Sequence, residues 1–111
     1  MTYYHVVHEW DGKDLLSLSE RLGSVDDAVA EFNRRWPEGD DNYDFAAHHV
    51  QYVHLHDTID AARHFAHDFG GDILAIDIPD DCYDVDVITD GMEYPHPMVR
   101  YRIPANYITR L

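Results

Sequence analysis

Histidines are the first residues in this chain whose types and spacing could do chemistry. There are nine. His54 and His56 fall on one face of an extended segment, His64 and His67 lie one helical turn apart, and His48 adjoins His49. Pairs of this kind can bind zinc, but zinc frames draw on a cysteine pair or a His-Glu-x-x-His helix, and neither is present. No metal site is expected, and the histidines read as solvated or hydrogen-bonded side chains. Cys82 is the only cysteine, so no intramolecular disulfide forms, and the neighbouring Asp80, Asp81 and Asp84 disfavour a thiolate. The chain has no Gly-rich phosphate loop, no Gly-x-Ser-x-Gly elbow and no Gly-x-Gly-x-x-Gly turn, which excludes a dinucleotide site of the usual kind.

Carboxylates form the second constellation. Asp80, Asp81, Asp84, Asp86, Asp90 and Glu93 crowd one segment, and a strand there would set Asp84 and Asp86 ~6.6 Å apart on one face. Such a row could mimic a phosphate backbone and occupy the groove of a basic protein, with opposite charges steering the encounter. It also fits a solvated strand edge that charge protects from aggregation. The whole chain carries 22 acids against 8 bases, a formal charge of −14, and Lys13 is its only lysine. That surface repels phosphate backbones and anionic lipid, so no direct binding to nucleic acid or membrane is expected. It equally suits an acidic coat for a salt-rich or crowded cytosol. No apolar run approaches the ~20 residues of a membrane span, and the start has no basic then apolar leader, so a soluble cytoplasmic protein is expected.

The elements that must position these groups centre on His56 to Pro79. Asp57 stands where an N-cap belongs, with Asp60 as the capping-box acid, and Ile59, Ala62, Phe65, Ala66 and Phe69 make one apolar helical stripe. Gly70-Gly71 ends the helix, and Ile73 to Ile78 reads as a buried strand that Pro79 stops. Tyr3 to His8 is a first strand with Tyr3, His5 and Val7 on one face. Asp11 can cap a short helix over Leu15, Leu18 and Leu22 that Gly23 closes. Ser24 and Asp27 open a second helix, with Val25, Ala28, Val29, Phe32 and Trp36 on one side and Pro37 at its end.

Pro37 to Asp44 reads as an acidic mobile loop, and Phe45 to His49 fits either a helical turn or the start of a strand. Val50 to Leu55 alternates, with Val53 and Leu55 on one face and Tyr52 and His54 on the other. Asp84 to Thr89, Met98 to Ile103 and Tyr107 to Leu111 complete the strands. With 111 residues the chain forms one domain, residues 1–111. Its expected class is α+β, a mixed or antiparallel sheet of about five to six strands with about three helices.

Taken in order, Tyr4-His5, Tyr52-Val53-His54-Leu55, the capped Ala-rich helix with its Gly-Gly and apolar strand, Glu93, and Val99 to Ile108 resemble small domains of the ADP-ribosyltransferase-like fold. The likeness covers Tyr3 to Val7 and His54 to Ile108 with gaps. It implies NAD as the bound cofactor and transfer of ADP-ribose to an acceptor. By analogy His5 would hold the ribose, Tyr52 would stack on nicotinamide and Glu93 would be the catalytic acid residue, with His5 also catalytic. A carboxylate facing the oxocarbenium-like charge built as the nicotinamide–ribose bond breaks would stabilise it. Arg100 and Arg102 would supply local positive charge for the anionic dinucleotide. His5 is followed by Val6-Val7, where that family often has Gly and Thr. The competing class is a non-enzymatic acidic partner of a basic protein, carried by the Asp80 to Glu93 row.

Overall fold

The Gly-Gly that follows the Ala-rich helix is the point on which the fold turns. In the computed structural model, which describes residues 1–35, 43–79, 82, 85, 87, 88 and 97–111, a helix runs over Ile59–Phe69 and a strand follows at once over Asp72–Asp77. That strand lies antiparallel to Thr2–Val7, in the register His5 opposite Leu74 and Val7 opposite Asp72. Its other edge pairs with Ile108–Arg110. The expected strand is therefore the middle of a sheet that includes the Tyr-His segment. Leu74, Ile76 and Ile78 from it are buried. An alternating segment flanked on both sides gains most from apolar side chains on its inner face.

In chain order the described elements are β1 (Thr2–Val7), β2 (Leu15–Leu16), α1 (Leu18–Leu22), α2 (Val25–Arg35), α3 (Tyr43–His49), β3 (Tyr52–His54), α4 (Ile59–Phe69), β4 (Asp72–Asp77), β5 (Val87–Ile88), β6 (Met98–Arg100), β7 (Arg102–Ile103), a 3-10 turn (Ala105–Tyr107) and β8 (Ile108–Arg110). The domain is α+β as expected, but among the described residues it has four helices and eight strands in three small sheets, ordered β1-β4-β8, β2-β7 and β3-β6-β5. All their pairings are antiparallel. The Tyr4–His56 bridge, with both backbone bonds made at 2.7 and 2.8 Å, joins the first sheet to the chain leaving β3.

Several expectations shift by local chemistry. Thr58, not Asp57, caps α4: its hydroxyl accepts from the Ala61 amide at 3.1 Å. Asp11 caps no helix. Its carboxylate accepts from the Lys13 amide, Leu15 joins β2, and Ser17 caps α1 instead. Ser24 caps α2 as read, accepting from Asp27, and Gly23 closes α1 at φ 86°. Tyr43–His49 is helical. Met98 to Ile103 breaks at Tyr101, whose φ of 69° turns the backbone. That kink is held because the Tyr101 amide donates to the Gln51 carbonyl and its carbonyl accepts from the Ser17 amide. The α4 stripe is only half covered: Ala62 is buried, while Phe65 and Phe69 stack on each other and stay 40% and 69% exposed.

The main core gathers Tyr3, Leu15, Val53, Leu55, Leu74, Ile76, Val99, Ile103 and Ile108, and a second cluster packs Ala28, Val29 and Phe32 of α2 against Ala46 and Val50. Two helices thus cover the segment that presents β3. Because Thr58 rather than Asp57 satisfies the first amides of α4, Thr58→Ala should cost about 1 kcal/mol in a urea melt and Asp57→Ala only a few tenths. The reverse order would return the cap to Asp57.

Candidate functional site

The chain leaving β3 bridges through His56 to Tyr4 in β1, and His5 and Tyr52 both border one cleft of about 810 Å³. Trp10, Arg21, Arg35 and His54 line it as well. A space of that size accommodates a nucleotide-sized ligand.

His5 is held at Nδ1, 2.7 Å from the His54 carbonyl oxygen. A carbonyl oxygen only accepts, so Nδ1 carries the proton and, in the neutral ring, Nε2 carries a lone pair. Desolvation by burial lowers the imidazole pKa from 6.5 to about 4. The hydrogen bond to His54 opposes that shift, and the nearby His56, His54 and Arg21 reinforce it. At neutral pH the cleft therefore presents an uncharged histidine with one nitrogen free to accept. The His54 ring is itself tied down, its Nε2 lying 2.9 Å from the His49 carbonyl oxygen and its face stacked on His49 with centroids 4.0 Å apart. Tyr52 is half-buried, with His48 tilted against it at 4.8 Å.

Arg21, in the last turn of α1, is exposed on the cleft wall. Desolvation and the charge of Arg35 push its pKa below the ordinary guanidinium value. Among the described residues no carboxylate is paired with it. Arg35 shares Glu31 with Arg34: its Nε donates to Oε1 at 2.9 Å, and Arg34 binds both carboxylate oxygens. Those two arginines hold the Glu31 carboxyl down at about 2. Of the acids on the wall, Asp11 and Asp14 are engaged by the Lys13 and Ala105 amides.

Of the residues singled out by sequence, His5 and Tyr52 meet in the cleft. Arg100 and Arg102 do not line it: Arg100 lies over the Tyr101 ring at 4.8 Å, and Arg102 pairs with Glu20 at 3.4 Å. Glu93 lies outside the described residues, as do Asp80, Asp81, Asp84, Asp86 and Asp90 of the acidic row. His64 and His67 are exposed on α4, and no cluster of three metal-binding side chains occurs among the described residues. No helix among them is long and apolar enough to cross a membrane. Sequence reading missed Arg21 and Arg35. Their signal was scarcity, since in a chain with eight bases each cation's position carries information. No family model, curated protein or solved structure matches this chain.

Proposed function

We propose that the cleft binds NAD and that the domain is ADP-ribosyltransferase-like. The observation that carries this reading is the meeting of His5 and Tyr52, from β1 and β3, at one cleft. His5 suits its part, because its fixed tautomer leaves Nε2 as an acceptor for a ribose hydroxyl. Tyr52 offers a half-buried ring against which a nicotinamide can stack. The dinucleotide's negative charge would meet Arg21 and Arg35 rather than Arg100 and Arg102.

In the reaction the bond between ribose and nicotinamide breaks, and positive charge grows on the sugar. Glu93 would face that charge and hold a ribose hydroxyl, which lowers the barrier because the carboxylate interacts more strongly with the cation than with the ground state. The neutral His5 adds no like charge beside it.

The test is NAD binding and nicotinamide release by the full chain. His5→Ala and Tyr52→Ala should each weaken binding about tenfold, and Glu93→Ala should keep binding while release falls about 100-fold or more. A wild-type chain that neither binds NAD nor frees nicotinamide would end the reading.

A further inference from the structure

We infer that Arg21, seconded by Arg35, forms an anion subsite in the cleft that receives a phosphate or diphosphate group of the ligand. The inference rests on the reading above only in placing a ligand in this cleft. Three observations carry it.

The first is position. Arg21 and Arg35 come from α1 and α2, yet both border the space that His5 and Tyr52 border. The second is bookkeeping of charge. In a chain of net charge −14, carboxylates are abundant: Arg34, Arg35, Arg63, Arg102 and Arg110 each have one within 4 Å, and Arg100 lies over the Tyr101 ring. Arg21 has none among the described residues. The third is repulsion: desolvation and the charge of Arg35 both disfavour the Arg21 cation at rest. A guanidinium that lacks a carboxylate partner and lies beside a second cation is costly at rest and gains when an anion binds at the cleft wall.

Chemistry selects the anion. A planar guanidinium offers paired N–H donors that match two oxygens of one phosphate, and a second guanidinium nearby favours a group of charge −2 or a diphosphate over a single carboxylate. The remaining acids on this wall limit competition from acidic peptides: Glu9 is exposed there, and Asp11 and Asp14 are held by backbone amides. A ligand that carried only negative charge would gain nothing from His5 and Tyr52, so the subsite serves one end of a molecule whose other end is a sugar or ring.

Inorganic diphosphate isolates the subsite from the rest of the ligand. Titration of the full chain with diphosphate, followed by calorimetry at low salt, should give saturable one-to-one binding. Arg21→Gln should weaken it at least tenfold and Arg35→Gln by a smaller factor. Arg21→Lys should recover only part of the loss, because an ammonium keeps the charge and loses the fork. Arg100→Gln and Arg102→Gln should stay within about twofold of wild type, apart from the general effect of net charge. His5→Ala and Tyr52→Ala should leave diphosphate binding unchanged while they weaken NAD. Arg21 is exposed, so its variants should fold, and an unchanged melt verifies that. Diphosphate binding through Arg21 without NAD binding would uphold the subsite and remove the ADP-ribosyltransferase reading. Absence of diphosphate binding, or equal binding by Arg21→Gln, would overturn the subsite whatever NAD does.

Discussion

Gly71→Ala is expected to destabilise the domain by about 3 kcal/mol or more and to lower its melting temperature by about 10 °C or more. Gly71 has φ 112°, a conformation that side-chain-bearing residues rarely adopt, and an added Cβ would overlap the Val7 carbonyl oxygen while sitting 2.9 Å from the carbonyl carbon. The obstacle is backbone on both sides, so no rotamer change relieves it. Relief would require β1 and β4 to part at the Val7–Asp72 end of their ladder. That ladder carries His5, so the substitution should also loosen the cleft and weaken ligand binding. Gly23→Ala is the matched control. It has φ 86° but open space around the new Cβ, and should cost only about 1–2 kcal/mol. Equal melting of the two variants would contradict the close approach of Gly71 to Val7.

The second large effect is acid sensitivity from His5. Its folded pKa of about 4 lies below the ordinary 6.5. Between those values the unfolded chain holds a proton that the folded chain lacks. Stability from this group is therefore complete above pH 6.5 and is lost as pH falls from 6.5 toward 4. By pH 5 the loss amounts to about 2 kcal/mol. His5→Asn keeps a donor near the His54 carbonyl and removes the titration, so the variant should lose about 2 kcal/mol less than wild type between pH 7 and pH 5 in urea melts. Parallel losses in the two proteins would mean that His5 titrates near its ordinary value and is not desolvated. The carboxylates common to both proteins cancel in this comparison.

What could be read from residue order was whatever local chemistry decides alone. Gly70-Gly71 followed by Ile73 to Ile78 announced a helix turning onto a buried strand, because a nearly continuous apolar run between a glycine pair and a proline has few other homes. Ser24 with Asp27 named a cap, since the acceptor and its amide are neighbours. Asp57 and Thr58 were both competent caps, and the choice fell to Thr58 through backbone geometry that residue types do not reveal. Leu15 fits a helical stripe as well as a two-residue strand, and only the distant Ile103 opposite it decides the matter.

Tyr101 hid the break between β6 and β7, because nothing local asks a tyrosine for positive φ; the Gln51 and Ser17 backbones impose it from elsewhere. The site divided in the same way. His5 and Tyr52 were found through an ordered resemblance. Arg21 and Arg35 were not, because their role depends on a wall built from α1, α2, β1 and β3 together. Exposed Phe65 and Phe69 show the converse: helical spacing identified the stripe but not the fraction of it that the sheet covers.

The central claim is that the wall shared by β1 and β3 takes the ligand, and its most direct measurement is an NMR titration of the labelled full chain with NAD. The prediction is that the His5 imidazole and the Tyr52 ring move together and saturate at one common affinity, with the His5 Nε2 resonance shifting as its lone pair accepts a hydrogen bond. Saturable shifts confined to residues elsewhere, or no saturable shift at His5 and Tyr52, would contradict it.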